Sequence, residues 1–384
     1  VTIALLLSTW LTLAPSVTGI ESATSGGGAY TPHTDGPHVS ETQRQRVRAA
    51  VEHNIQRLRL DQTTLSPTRV TLAWPLRATD GLDVYDYHGV SGFVDHNPNF
   101  PNQLLDYNCG ERTYDTSDGY NHDGADFFTW PFAWNWMDHD AVQVVAAADG
   151  VIVYKEDGHY DRNCSSPQGE ANAIVVLHGD GSVAEYWHLK NGSLTAKGDF
   201  DTVAQGEYLG VVGSSGYSTG PHLHFAIYDW RDLLVDPFYG PCNTSESWWD
   251  EQRPYYDSAV NLITTGSAPP DLPNCDPETS YEQTVFMPGD TLYFTTYYHD
   301  QLSTLPSQYT IYEPDGSVYD SWSHSMPPED EHYAASWWWW SFDFDYSVPT
   351  GTWRFEVVFN GQTYAQHFFV GELPEHLYLP LVQK

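Results

Sequence analysis

From Arg69 onward the hydrophobic positions fall in short runs rich in β-branched and aromatic residues, broken by Gly, Asn and Asp, a pattern that predicts strands. The stretch 70–76 opens the series. Residues 143–148, 151–155, 173–178, 183–189 and 208–212 are its clearest members, with turns at Asp149-Gly150 and Gly179-Asp180-Gly181. Close spacing with hairpin turns favours antiparallel sheets over strand-helix-strand units. Residues 266–277 carry Pro269, Pro270, Pro273 and Pro277, the composition of a stiff linker. Beyond it come further runs at 283–287, 291–298, 308–312, 317–322, 335–344, 352–359 and 362–370, with turns that include Pro314-Asp315-Gly316 and the hairpin signal Asn360-Gly361. About seven strands in roughly ninety residues is the size of an immunoglobulin-like sandwich.

One stretch has a helical period instead. Val47, Val51, Ile55 and Leu58 follow the capping-box pattern Ser40-Glu41-Thr42-Gln43, which predicts an amphipathic helix over 41–60. Arg44, Arg46, Arg48, Arg57 and Arg59 lie within it. A helix docked on an acidic body and an inhibitory pro-segment are both open. The stretch between it and the start, 22–38, reads as loose and polar. Residues 1–19 are apolar and then small, too short to span a bilayer, and read as the hydrophobic part of a secretory signal whose charged start is missing.

Composition narrows the partners. The chain of 384 residues has room for two folded domains, and its 51 acidic against 16 basic side chains argue against nucleic acid or an anionic membrane surface. No segment has the length of a membrane span. Cys109, Cys164, Cys242 and Cys275 lack any Cys-x-x-Cys spacing, so in an exported chain they read as two disulfides. Pairing Cys109 with Cys164 and Cys242 with Cys275 keeps each bridge within one region, and that pairing is expected.

The candidate chemistry is concentrated in histidines. After the turn residues Gly216, Gly220 and Pro221, His222 and His224 sit two apart on a predicted strand and share a face. Upstream, His122 and Asp126 flank Gly124, which permits a tight turn. One imidazole, one carboxylate and a distant imidazole make three ligands with a fourth position open, the arrangement of a catalytic zinc. Thiolates are absent from the set, which disfavours copper(I) and iron-sulfur but leaves manganese, iron and cobalt open. His188, in Glu185-Tyr186-Trp187-His188-Leu189, is a further imidazole near the end of a predicted strand.

Taken together, these stretches resemble the lysostaphin-like, LytM-type or β-lytic, zinc metallopeptidases over residues 121–237. The resemblance rests on His122-Asp123-Gly124-Ala125-Asp126, on 145–152, on Tyr186-Trp187-His188-Leu189, on Gly206-Glu207-Tyr208-Leu209-Gly210 and on 213–225, all in matching order. It implies that His122, Asp126 and His224 bind one zinc ion per chain, and that His188 and His222 are catalytic. It also implies a compact antiparallel β fold and peptide or peptidoglycan substrates, often cut at glycine. The departures are Tyr217-Ser218-Thr219 in place of a threonine-first turn and the loops around Cys109 and Cys164, so substrate choice is less determined than reaction type.

The residue chemistry agrees. Zinc in such a set acidifies water toward ~7 and polarises a carbonyl. No His-Glu-x-x-His helix is present to supply a glutamate base, so the proton acceptor is expected among His188 and His222, with the other stabilising the oxyanion. The expected fold class is all-β: an antiparallel LytM-type domain plus a C-terminal β-sandwich, with a short N-terminal helical segment. The expected boundaries are a signal at 1–19, an N-terminal segment at 20–68, a peptidase domain at 69–245, a Pro-rich linker at 246–280, a separately folding sandwich at 281–371 and a tail at 372–384. His178 is expected at the surface, and His139, His159, His299, His324 and His332 lack ligand spacing. Trp130, Trp134 and Trp136 could line a groove or fill a core. In Trp337-Trp338-Trp339-Trp340, alternate rings would fill the sandwich while the others bind a wall surface or pack on the first domain. The expected location is secreted, extracellular or cell-surface. An inactive binding protein and a surface structural protein with a stabilising metal are the competing functions.

Overall fold

The computed structural model describes residues 24–32, 37, 39–58, 66, 68–164 and 168–373, so the expected signal at 1–19 and residues 374–384 of the tail lie outside the described residues. In chain order the first elements are β1 (Thr24–Tyr30), α1 (Glu41–Arg57), β2 (Leu76–Ala78), β3 (His88–Gly92), β4 (Ala125–Thr129), α2 (Ala133–Asp138) and β5 (Val142–Val145). There follow β6 (Gly150–Glu156), β7 (Ala173–His178), β8 (Val183–Trp187), β9 (Thr202–Val203), β10 (Tyr208–Val211), β11 (His222–Tyr228) and β12 (Leu234–Val235). The last group is β13 (Ala259–Gly266), β14 (Val285–Phe286), β15 (Thr291–Leu302), β16 (Ser307–Tyr312), β17 (Val318–His324), β18 (His332–Asp343), β19 (Gly351–Phe359) and β20 (Gln362–Val370). The all-β expectation holds, with antiparallel sheets and two helices among the described residues.

An eight-stranded antiparallel sheet, ordered β3-β4-β11-β8-β7-β6-β9 with β12 beside β11, is the centre of the first domain. Its two faces divide the strand residues by alternation. Leu223, Phe225 and Ile227 of β11 join Phe127, Ala184, Tyr186, Ile174 and Val176 in the main core. His222, His224 and Tyr228 point to the other face, together with Trp187, Ala173, Val175 and Leu177, and α1 lies on that face.

Docking of α1 is mainly apolar. Val47 and Val51, at 1% and 9% exposure, pack on Val153, Ala173, Val175, Leu177 and Trp187. Burying each such side chain contributes ~1.5–3 kcal/mol, whereas an exposed pair such as Arg46 with Glu170 contributes ~1 kcal/mol or less. Gln43 adds two-way pairing to the Ala171 backbone at 2.8 and 2.9 Å, and Ser40 Oγ caps the helix by accepting from Gln43 N at 3.2 Å. The docked arrangement is the one observed.

The second β region is a sandwich of a four-stranded sheet, β1-β18-β15-β13, and a five-stranded sheet, β14-β20-β19-β16-β17. Its composition corrects two sequence expectations. The stretch expected as linker, 246–280, contains β13, which pairs with β15 along its whole length. The stretch expected to be loose contains β1, which pairs with β18 from Thr24↔Ser341 to Tyr30↔Ala335. Three glycines gave β1 no strand signal of its own, and the edge of the tryptophan strand captures it: a Cβ at Gly26 would lie 2.7 Å from the Trp339 ring. The cysteine pairing is corrected as well: the pairs are Cys109–Cys242 and Cys164–Cys275, across 133 and 111 residues, so each bridge joins distant parts of the chain.

The tryptophans alternate as their strand requires. Trp338 and Trp340 turn to the sandwich core, and Trp337 packs against the first domain's core. Tyr297 on the same outer face meets Trp130 and Phe132 at 6.1 and 5.4 Å, and Tyr30 meets Trp130 at 4.6 Å. One apolar cluster therefore runs from the first domain into the outer face of the sandwich.

A chain ending at residue 270 keeps β13 but loses β15 and β18. Its melting temperature is expected to fall by ~10 °C or more, since a loss of several kcal/mol shifts a domain of this size by that amount. An unchanged melting temperature would show the two regions to be independent. Glu278 gives a second test. It accepts the Trp134 and Asn135 amides at 3.1 and 3.2 Å, and burial raises its pKa to about 7 from 4.5 despite those bonds. The folded state holds this proton more tightly, so the group's contribution is full below about 4.5 and is lost as pH rises through about 7. Stability of the wild type relative to Glu278→Gln should fall by on the order of 3 kcal/mol across that window in denaturant titrations. A pH-independent difference would contradict it.

Candidate active site

The register of β11 between β4 and β8 sets Asp126, His224 and Trp187 side by side in one row. His122 precedes β4 and is held by a hydrogen bond from its backbone N–H to the Tyr114 carbonyl at 3.0 Å. Its Nε2 lies 3.2 Å from Asp126 Oδ2 and 3.2 Å from His224 Nδ1, and His224 Nδ1 lies 2.9 Å from Asp126 Oδ1. All three side chains are 0% exposed. Gly124 serves close approach: a Cβ there would come within 2.6 Å of the His224 ring and 2.7 Å of Phe225 O.

The three donor atoms fit a cation. His122 Nδ1 meets the Phe93 carbonyl at 2.7 Å, an atom that only accepts, so Nδ1 carries the proton and Nε2 offers a lone pair inward. His224 has Asp123 Oδ1 at 3.5 Å from Nε2, which leaves Nδ1 facing the same point. Two ring nitrogens at 3.2 Å with a buried carboxylate draw positive charge. Burial opposes a charge on His224, yet Asp123 and Asp126 outweigh it and raise its pKa to about 9. Burial likewise works against an ionised Asp126, but His122 and His224 hold its carboxyl well below the usual range. Two imidazole nitrogens and a carboxylate oxygen without thiolate form a donor set suited to zinc.

His188 and His222 stand beside this set with ring centroids 4.5 Å apart. His188 follows the end of β8 with φ of 68°, a left-handed conformation rare for a side-chain-bearing residue. Its Nδ1 donates to Ser215 O at 2.6 Å, and His222 Nδ1 donates to Gly220 O at 2.8 Å. Both Nε2 atoms are thereby left as acceptors, that of His222 3.9 Å from Asp126 Oδ1. Burial pushes both pKa values down, most strongly for His188, where His222 and His224 add to it. The turn between β10 and β11 thus orients both rings. Ser218 Oγ lies 2.7 Å from Ser214 Oγ and 3.3 Å from His222 Nδ1.

All five histidine and aspartate positions expected from sequence are therefore brought together. Sequence reasoning missed Tyr114, which stacks on His122 at 4.3 Å and donates to Asp126 Oδ2 at 3.3 Å, and Asp123, which reads only as a spacer. Tyr114 lies in no motif, and Asp123 lies inside the His122-Asp123-Gly124-Ala125-Asp126 motif without a role of its own there. His178 is corrected: it is buried at 2% exposure and donates from Nδ1 to Asp149 O at 2.9 Å. Trp130, Trp134 and Trp136 are buried. Glu156, His159 and Glu170 also cluster, but Arg46 of α1 reaches both carboxylates at 2.6 Å and supplies the positive charge there.

A buried His/Asp/His donor set beside two further imidazoles on an antiparallel sheet can hold a metal with proton-transfer groups at hand. Residues 132–237 match the model of Peptidase family M23, a span that holds His188, His222 and His224 and begins after His122 and Asp126. The chain thus carries a family M23 domain. It is 42% identical over 82 residues to the DD-carboxypeptidase/endopeptidase Mpg of Neisseria meningitidis, covering 21% of this chain and 16% of that protein. It is 34% identical over 139 residues to the glycyl-glycine endopeptidase ALE-1 of Staphylococcus capitis, covering 34% of this chain and 33% of that protein. The catalytic domain of lysostaphin from Staphylococcus simulans aligns at 28% identity over 33% of this chain and 83% of that one, with a TM-score of 0.24. The chain spans about a third or less of the length of the two curated relatives.

Proposed function

We propose that this protein is an exported zinc metalloendopeptidase that cleaves peptide bonds in peptidoglycan cross-links or glycine-rich peptides. The observation that carries the reading is the convergence of His122 Nε2, Asp126 and His224 Nδ1 beside two imidazoles, His188 and His222, whose Nδ1 atoms donate to the carbonyls of Ser215 and Gly220. Zinc held by the three donors would supply Lewis acidity toward a peptide carbonyl and lower the pKa of water. The chain's own residues supply the rest. His188 or His222 would accept the proton of the attacking water at Nε2, since burial pushes both pKa values down and leaves the neutral, accepting form at rest. The ring that gains the proton becomes a donor at Nε2 and can stabilise the tetrahedral oxyanion or return the proton to the leaving amine. Asp126 keeps its charge throughout, held by the histidines on either side.

The names of the M23 relatives, a DD-carboxypeptidase/endopeptidase and a glycyl-glycine endopeptidase, support a wall-peptide substrate. The two disulfides support an oxidising, extracellular or cell-surface location. Among the described residues no helix is long and apolar enough to cross a membrane.

Elemental analysis of purified protein is expected to give one zinc per chain, lost with chelator together with cleavage of cross-linked wall peptides and regained on adding zinc. Asp126→Ala should retain little metal, and undiminished zinc in that variant would remove Asp126 from the site. His188→Ala and His222→Ala should each hold zinc but lose turnover by roughly 10²-fold or more, the scale of general acid-base help. Normal turnover in both would end this mechanism.

A further inference from the structure

We propose that Asp123 is a positioning residue for the metal centre and that the N-terminal helix, through Arg44, is part of its support. This inference rests on the zinc-peptidase reading above. Four side chains from three elements, the loop before β4, β11 and α1, meet the Asp123 carboxylate. Tyr120, in the preceding loop, donates its hydroxyl to Oδ1 at 2.9 Å, and Tyr228, at the end of β11, donates to Oδ2 at 3.1 Å. The guanidinium of Arg44, on α1, pairs with Oδ2. His224 Nε2 lies 3.5 Å from Oδ1.

A cation among the three donors would take the Nδ1 lone pair of His224, which leaves the ring proton on Nε2, turned toward the Asp123 carboxylate, an acceptor only. The opposite tautomer would place a proton among the three donors. A carboxylate this deeply placed, at 9% exposure, is costly without compensation, and the two tyrosines and Arg44 supply it. Arg44 is itself constrained, lying over the Tyr120 ring at 5.6 Å with its side chain 16% exposed. Partners that fix the far nitrogen of a metal-bound histidine set both its tautomer and its ring angle. Arg46, two residues along the same helix, provides the internal control: it reaches Glu156 and Glu170 at 2.6 Å instead.

The test is zinc affinity of the full chain, measured by competition with a chromophoric chelator, with the visible spectrum of the cobalt(II)-substituted protein as a second readout. Asp123→Ala is expected to weaken zinc binding by ~10–100-fold and to shift the cobalt bands, while Asp123→Asn, whose amide oxygen can still accept from His224, recovers part of the loss. Arg44→Met should weaken zinc severalfold, and Arg46→Met should leave it at the wild-type value. Tyr228→Phe, which removes one donor to Asp123, serves if Asp123→Ala does not fold, and it should weaken zinc as well. Wild-type zinc affinity in Asp123→Ala, or in Tyr228→Phe in its place, would overturn the proposal. An equal loss in Arg44→Met and Arg46→Met would also overturn it, since helix docking in general would then be responsible. A wild-type protein that binds no zinc would instead overturn the proposed function itself.

Discussion

The pairing of β4 with β11 is the constraint on which the site depends. With Asp126 opposite His224 and Phe127 opposite Leu223, the polar pair points to one face and the apolar pair to the core on the other. A slip of one residue would exchange these sets, sending a carboxylate and two imidazoles into the apolar core and Leu223 and Phe225 toward the site. The cost of burying Asp126 without its histidines is several kcal/mol, so register and metal-site chemistry enforce each other. Gly124 completes the arrangement by letting the chain pass directly over the His224 ring.

The same sheet face carries a second consequence. Because α1 packs beside the donor row, on Trp187 and its neighbours, the residues that hold the helix and those that could hold a metal share one surface. Apolar burial through Val47 and Val51 fixes the helix in place, and the arginines then distribute charge over an acidic body: Arg44 to Asp123, Arg46 to Glu156 and Glu170, Arg48 over Tyr228. In a chain with 51 acidic side chains, this short cationic helix offsets local repulsion where carboxylates crowd the site.

Much of this was legible in the sequence. Strands such as Ala173–His178 and Gln362–Val370 announced themselves through composition and turns, and α1 through its period and Ser40 cap. His222 and His224 were readable because a two-residue spacing on a strand has only one geometric meaning. What stayed hidden depends on contacts distant in sequence. β1 has a glycine-rich run that becomes a strand only against Trp337–Trp340, and β13 lay in a region judged by its prolines. The disulfides join loops 133 and 111 residues apart, a distance that proximity in sequence misjudges. Asp123 and Tyr114 touch the donors only because the loop before β4 folds back on itself, and nothing in a single residue's identity reports that.

His122, Asp126 and His224 are the donors that we propose hold the metal of this chain. Anomalous scattering measured on both sides of the zinc absorption edge, from crystals grown with zinc at one equivalent, tests this most directly. A single strong peak is expected among His122 Nε2, an Asp126 carboxylate oxygen and His224 Nδ1. A peak at the Glu156, His159 and Glu170 cluster alone, or none on the chain, would contradict it.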